Sequence, residues 1–527
     1  MTNDSKKLLR IPTLLFLRFY NLKTILTLVF FFILALVFHF SSPNIPDPDS
    51  FYHIKHAQIY RAQGVTSSEF PWTQYSAIKI NSSDIWYGFH ILLIPFSIFD
   101  GTLGIKLAGV FLTFFTLTSF WFVLKRHQIK WPVFWPIFVF ISAPNIMNRF
   151  LMMRPHLLSL ALTILLFSCL ILGRRTAVFA IAVLFSWVHI SLVWIPLLVF
   201  GVVFLLKRII EKIWIWREGL ILLAGTAVGW LLRPNPIGSL KLAYIQVAQL
   251  MLEKQNDYSL LFGRELFPLA PQTLFQNFSA FMLLWIPAIA VMFALAKKHP
   301  DILKNVGMLS AGILSLVFFA LTILVARRAH DFWVPFGTIF IALVYTYLAR
   351  HAHILKNVRM ISAIALAGVF AFLIIYTPWR NSISLEERAI PPVKFKEAAV
   401  WLKDNSNKGD IVFNLRWSDF PMLFFWNDKN YYIGGMDPIF QYAYDMELYW
   451  KFHYLSADQV TKYTCPAPAC TKNMMEDTYT VLKNDFKAKY VFLEKQRNPL
   501  VYYYLESTPE RYIKKIDTVS EAVYEIK

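Results

Sequence analysis

The segment Pro46-Asp47-Pro48-Asp49-Ser50-Phe51-Tyr52-His53-Ile54-Lys55-His56 gathers two carboxylates, two imidazoles and a lysine directly after the first long apolar run of the chain. Carboxylates are costly beside hydrocarbon, so a pair placed where a helix leaves a bilayer marks a functional site. The chemistry on offer is general base catalysis at a membrane surface. The structural alternative is that Asp47 and Asp49 only cap the following helix, since Asp favours helix starts.

Other polar residues collect at the ends of apolar runs on the same face: Asp84 and His90, then Arg149, Arg154 and His156, then His189 and Arg233, then Arg264 and Glu265, then Arg327, Arg328, His330 and Asp331. Guanidinium forks match phosphate oxygens in pairs. A carboxylate facing such cations suits transfer of a group off a lipid-borne phosphate: the base activates the acceptor while fixed positive charge stabilises the departing phosphate. Plainer readings stand beside this one. Arg327 and Arg328 could anchor a helix end among headgroups, His189 reads as a hydrogen-bonded turn histidine, and Arg154-Pro155-His156 opens a helix, where Pro is ordinary.

The elements that must position these residues follow from composition. Of 527 residues, 57% are hydrophobic and only 16% charged, and the mean hydropathy is +0.47, which is the balance of a membrane protein. A net charge of +19 would suggest nucleic acid in a soluble protein, but here Lys and Arg stand in short clusters between apolar runs. That arrangement excludes nucleic acid as the partner and indicates membrane lipids and positive-inside topology.

Runs long enough to cross, at about 20 residues each with some shorter, number about eleven. They fall near residues 24–40, 104–124, 131–145, 157–173, 176–189, 190–206, 219–232, 276–296, 306–325, 332–349 and 360–376. Lys6, Lys7, Arg10, Arg18 and Lys23 precede the first, which has no small-residue cleavage site and is expected to stay as a membrane helix. The clusters Lys125-Arg126, Arg174-Arg175, Lys207-Arg208, Lys297-Lys298 and the one spanning residues 350–359 then share the N-terminal, cytoplasmic side. Counting residues 86–100 as a further span would break that parity, so they are expected to lie in the interface or re-enter.

Three units result: a cytoplasmic N-terminus over residues 1–23, a helical membrane domain over 24–376 with outer loops 41–102 and 233–276, and an extracytoplasmic α/β domain over 377–527. The expectation for the last rests on alternating helix and strand signals, with strands at 411–414, 431–434, 489–494 and 523–526. Cys465 and Cys470 could close a small loop or remain free thiols, and Cys169 reads as core packing.

In this order of parts the chain resembles the GT-C superfamily of membrane glycosyltransferases, and within it the catalytic subunit of oligosaccharyltransferases. Asp49-Ser50-Phe51-Tyr52-His53-Ile54-Lys55 is similar to that subunit's first-loop Asp-x-aromatic-aromatic-His/Asn-x-basic motif. Asp84-Ile85-Trp86-Tyr87-Gly88-Phe89-His90 resembles its Trp-Tyr signature, and the stretch from Arg327 to Pro335 resembles its later arginine and aromatic segment.

The resemblance implies a glycosyltransferase that moves a sugar from a polyprenyl-phosphate or polyprenyl-diphosphate donor, with inversion, to a glycan, lipid or protein acceptor on the extracytoplasmic side; with no organelle signal apparent, the membrane is expected to be a plasma (inner) membrane. Asp49 would be the catalytic carboxylate with Asp47 as its support. Arg154, Arg327, Arg328 and His156 would bind the donor phosphate, and His53, Trp417, Asp419 and Asp437 would face the acceptor.

Two departures qualify this. Where the oligosaccharyltransferase has a second acidic motif that helps hold a divalent ion, Mg or Mn, this chain reads Arg149-Phe150-Leu151-Met152-Met153-Arg154-Pro155-His156, which leaves the metal open. Where the family carries Trp-Trp-Asp-x-Gly for its peptide acceptor, Arg416-Trp417-Ser418-Asp419-Phe420-Pro421 keeps one Trp and the Asp, so a peptide asparagine is not implied. The competing class is a transporter or flippase for lipid-linked sugars or small molecules, whose usual internal repeats and broken midplane helices the sequence does not display. An extracytoplasmic receptor or assembly protein is a third reading.

Overall fold

A computed structural model describes residues 22–67, 69–256, 260–350, 356–459 and 462–527. Lys6, Lys7, Arg10 and Arg18, together with residues 351–355 of the last basic cluster, lie outside the described residues. The molecule is a mainly α-helical, multi-pass membrane protein with a C-terminal α/β region.

Among the described residues seven helices are long and apolar enough to cross a membrane, or nine if two sharply bent pairs each make one crossing. The expectation was about eleven. The difference lies in short elements. Residues 131–145 give only the eight-residue helix Phe134–Ile141, after which Ser142 and Ala143 break the run before Pro144 starts another. Arg175–Val188 has 14 residues. Residues 86–100, expected to re-enter or lie flat, form the short helix Tyr87–Leu93 and a 3₁₀ turn, Ile94–Ile98.

The bends matter more than the count. Pro144–Leu151 and Pro155–Ile171 meet at 107°, and Trp216–Leu231 and Pro236–Glu253 at 110°. A proline holds the residue before it extended, and Arg154, at φ −131° and ψ 156°, is delivered at the first corner by Pro155. Arg233 stands near the second, its guanidinium donating to the carbonyls of Asp84, Ser186 and Trp187 at 2.7 to 2.8 Å. It is a tie between loops.

The helix Asp49–Gln63 begins ten residues after Leu22–His39 ends and stops at Gly64, whose φ of 92° only glycine adopts freely. Its back packs on the C-terminal region. Phe51 meets Phe425 edge to face at 5.3 Å, and Lys55 pairs with Asp428 at 2.9 Å.

The C-terminal sheet has the strand order Tyr431–Tyr432, Ile411–Asn414, Ala488–Glu494, Glu521–Ile526, Tyr512–Asp517, the first three parallel and the rest antiparallel. Phe413, Phe452, Phe486, Val491 and Tyr524 fill one of its faces. Tyr512–Asp517 and the helix Pro499–Glu506 were not anticipated from sequence. The first loop completes the sheet: Trp72 and Thr73 run beside Tyr432, with Tyr432 N–H bonded to Trp72 O at 2.7 Å and Gln74 N–H to Tyr432 O at 2.8 Å. A bare strand edge is thereby covered. Cys465 and Cys470 are bridged in a disulfide, and Cys169 is a free thiol.

Candidate active site

Asp47 and Asp49 flank Pro48, the N-cap of the Asp49 helix, and neither carboxylate accepts a helix amide, so capping is not their role. Both face Arg154. One guanidinium nitrogen bonds Asp47 and lies 3.1 Å from Asp49, and the other lies 3.7 Å from Glu265. The Asp47 side chain is fully buried while that of Asp49 is 20% exposed, so Asp49 is the carboxylate a substrate can reach. Ser50 Oγ donates to Asp47 at 3.2 Å.

Burial pushes the Asp49 carboxyl up to about 7; Arg154 opposes this, while Asp47, Glu265 and Asp437 add to it. Glu265 moves the other way. Burial raises it, but Arg154 and Arg328 outweigh burial and hold it below the ordinary carboxylate range. Neighbouring carboxyls driven apart in this manner are the pattern of an acid–base site.

On the far side of Arg154, Arg149 is spent on Asp331 in a bidentate pair at 2.6 to 3.1 Å, and His330 Nδ1 lies 3.1 Å from the same carboxylate. His156 Nε2 donates to Arg149 O at 3.1 Å, leaving Nδ1 buried without a partner. Arg328 differs from its neighbours. Among the described residues its guanidinium makes no ion pair or hydrogen bond, though Glu265, Arg149, Arg154 and Asp331 surround it. The backbone N–H of Arg327 bonds Phe267 O at 2.8 Å, and its buried Nε has no partner. Arg328 thus stands beside the Glu265 carboxylate with its donors unfilled, and its neighbour in sequence, Arg327, has one unfilled donor of its own.

The three C-terminal residues expected at the acceptor side separate. Asp437 joins the cluster: it caps the helix Pro438–Tyr442, and burial pushes it up to about 6, with Glu265 adding and Arg328 opposing. Trp417 acts through the chain, its indole donating to Leu261 O at 3.0 Å and so fixing the loop that leads to Glu265. Asp419 lies elsewhere, 1% exposed among Glu494, Arg497 and Arg416, where burial pushes it up to about 7. His53 is buried under the site, bonded to His90 at 2.8 Å, and His189 is bonded to Ser159 at 2.8 Å.

Glu265 is the residue whose weight sequence reasoning underrated. Its signal was the charged pair Arg264-Glu265 late in the second outer loop, which is long enough to be functional.

A divalent ion does not fit the carboxylate cluster as it stands, because Arg154 holds the inner faces of both Asp47 and Asp49. Among the described residues one group of three ligand atoms converges within 4.8 Å, that of His56, Asp84 and His90. It does not have the shape of a metal site either. Asp84 Oδ2 and His90 Nδ1 are 2.6 Å apart, a hydrogen bond rather than the separation of two ligands around an ion, and the His56 and His90 rings are stacked.

No protein-family model and no curated protein sequence matches the chain. Among solved structures it is similar to the archaeal oligosaccharyltransferase AglB from Archaeoglobus fulgidus, solved with an inhibitory peptide and a dolichol-phosphate. The TM-score is 0.53 at 9% identity, over 93% of this chain and 72% of that one. It is also similar to ArnT from Cupriavidus metallidurans in its apo state, with a TM-score of 0.53 at 11% identity, over 95% of this chain and 98% of that one. Both are GT-C glycosyltransferases, and the chain has their fold across most of its length.

Proposed function

We propose that the protein is a membrane glycosyltransferase that moves a sugar from a polyprenyl-phosphate or polyprenyl-diphosphate donor to an acceptor on the non-cytoplasmic side, with inversion at the anomeric carbon. The observation that carries this reading is one cluster that holds Asp49, accessible and with a carboxyl raised to about 7, together with Glu265 and Arg154, against which stands Arg328, a guanidinium with no ion pair or hydrogen bond among the described residues. A transporter reading finds no comparable support, since the carboxylates are locked in one cluster, Asp47 and Asp49 on Arg154 and Asp331 on Arg149.

Asp49 accepts the proton of the acceptor hydroxyl as its oxygen attacks the sugar. The anomeric carbon–oxygen bond to phosphate breaks, and its electron pair leaves with the phosphate, which Arg328 and Arg327 receive. His156, with a bare Nδ1, supports that side. Arg154 pairs with Asp47 and holds Asp49 in place. With its charge met by carboxylates, it neutralises the site where the related enzymes would use a metal, and it reaches phosphate only if Asp49 becomes protonated.

Asp437 borders the acceptor side, and Trp417 shapes it through the Glu265 loop. Asp419 enters this reading only as a buried structural carboxyl. The C-terminal region and the cluster share the extracytoplasmic face of a plasma (inner) membrane.

The test is release of labelled sugar from synthetic polyprenyl-phosphate and polyprenyl-diphosphate donors by purified protein, with Asp49→Asn and EDTA arms. Turnover that is lost in Asp49→Asn and kept in EDTA is the expected result. Loss in EDTA would restore a metal, and an active Asp49→Asn would remove the catalytic assignment.

A further inference from the structure

The second outer loop carries a helix whose outward side the reaction above leaves unused. Pro236–Glu253 departs from the span Trp216–Leu231 at 110°, so it runs along the membrane plane rather than through it. Hydrogen bonds lock that corner. Trp230 Nε1 donates to Pro236 O at 2.7 Å, Asn235 Nδ2 to Asn81 O at 2.8 Å, and the buried Arg233 guanidinium to the carbonyls of Asp84, Ser186 and Trp187.

The helix reverses the pattern of a helix on a water-facing domain. Its protein side holds Gly238, Ser239, Leu242, Ala243 and Leu250, the first so close that a Cβ there would collide with Asn81 O. Its outer side exposes Ile237, Leu240, Tyr244 and Leu252, each by 53% to 67%. The π turn Ile245–Gln249 inserts an extra residue and brings Leu252 back in line with the other three. A contiguous apolar side of this kind marks an interaction surface.

What covers it follows from what adjoins it. Leu231 and Leu232, 60% and 57% exposed, close the span just before the corner, so the lipid-facing surface continues onto the helix. Lys241 is the only charged residue between Pro236 and Leu252, and it is exposed beside the apolar side chains. Its stem can lie along lipid while the ammonium reaches a headgroup phosphate, as on helices that rest in a bilayer interface.

The protein side of the same helix touches every wall of the cluster. Near its start it is bonded to Asn81 and Ser83, the residues that lead into Asp84. Its π turn packs on Pro438–Tyr442, the helix capped by Asp437. At its end Lys254 Nζ donates to Leu266 O and, at 2.9 Å, to Val325 O. Lys254 therefore joins the turn that carries Glu265 to the one that carries Arg327 and Arg328, where Arg327 N–H also bonds Phe267 O at 2.8 Å.

We propose that Pro236–Glu253 is seated in the outer interface of the bilayer, with Ile237, Leu240, Tyr244 and Leu252 among the acyl chains, and that this seating holds the Glu265 and Arg328 turns in register through Lys254. The use of that register in catalysis rests on the transferase reading above; the seating does not. Lys254 is a positioning residue, and the ligand of the outer side is membrane lipid.

The experiment uses the full-length protein in nanodiscs of phosphatidylcholine and phosphatidylglycerol. Cys169→Ala removes the free thiol, and Leu240→Cys or Tyr244→Cys takes a nitroxide spin label. Collisions with oxygen, which concentrates in lipid, should exceed those with a water-soluble nickel chelate, as for a label at Leu231→Cys. A label at Val519→Cys, on the C-terminal sheet and 96% exposed, should show the reverse. Labels on the helix that behave like the one at Val519→Cys overturn the seating. Labels shielded from both reagents overturn it too, because a protein partner or a second copy would then cover the helix.

Amide hydrogen exchange reads the link to the cluster. In the double variant Ile237→Ser with Leu240→Ser, and in Lys254→Met, exchange across residues 262–269 and 322–329 should quicken about tenfold while the C-terminal sheet keeps its protection. Transfer should fall in step. Unchanged exchange at those turns overturns the link, as does loss of protection throughout the chain, which would make these residues folding determinants only. Wild-type protein that transfers sugar from no donor overturns the transferase reading instead, and the labels and exchange still decide the seating and the link.

Discussion

At Asp49, burial and the Arg154 cation pull on one carboxyl in opposite senses, and burial prevails, leaving it near 7. A base must be ionised to act, so transfer should rise about tenfold per pH unit below 7 and level off above it, as read from a kcat–pH profile. The sign for stability is opposite. A folded-state value above the unfolded one favours folding at low pH, and that contribution is lost as pH rises from about 4 through 7. Asp49→Asn should therefore be inactive yet at least as thermally stable as wild type at pH 8. A lower midpoint there would show that its ionised form is held more favourably than burial suggests. Arg154→Met should behave in reverse. It strands the fully buried Asp47 without its cation, which costs about 3 to 5 kcal/mol in an unfolding titration. Asp49 was legible because acids beside an apolar run have few other reasons to exist. Arg149 was not, because its partner Asp331 lies 182 residues away and nothing local announces a bidentate pair.

Helix pairs in this molecule approach closely where side chains vanish. Gly225 and Gly229 on Trp216–Leu231 lie against Arg175–Val188. A Cβ at Gly225 would come within 2.7 Å of Phe179 O, and one at Gly229 would collide with Val183 O. These neighbours are backbone and cannot swing aside, so Gly229→Leu should separate the two helices and lower the thermal midpoint, costing about 1 to 3 kcal/mol or more. Gly201, with nothing within 4 Å of its Cβ position, is the control that should tolerate alanine. Apolar runs were readable as helices because hydropathy sums over a window. Their breaks were not, since Ser142-Ala143 before Pro144 looks like a minor dip in the run yet ends a helix after eight residues. The bend at Arg154 was half legible. Pro155 announced a helix start, but only the fold reveals that the corner aims the preceding arginine at two aspartates.

Across the whole molecule, the helical bundle and the C-terminal sheet share the site between them. Asp49, Arg154 and Glu265 come from three loops of the first, and Asp437 from the second. The Lys55–Asp428 pair and the bond from Trp72 Nε1 to Asp428 O at 2.7 Å are the stitches. Lys55 is largely buried, so Asp428→Ala should cost about 1 kcal/mol or more of stability, and it should raise acceptor KM more than donor KM by loosening the Asp49 helix. Equal effects on both would indicate that the stitch serves folding alone. The sequence separated these regions cleanly by composition, and for that reason concealed their union: the strand-like contact of Trp72 and Thr73 with Tyr432 has no signature in either segment.

That contact also fixes when the cluster around Asp49 can be completed during the protein's own synthesis. Trp72 and Asp428 are 356 residues apart, a distance a ribosome covers in about 20 to 70 s. Through that interval the Asp49 helix has emerged without the surface that packs its back, and Phe51 and Trp72 await partners not yet made. A chain arrested before its last hundred residues would carry Asp47, Asp49, Arg154 and Glu265 without Asp437 and without the surface that backs their helix, so the cluster is complete only when synthesis is nearly finished.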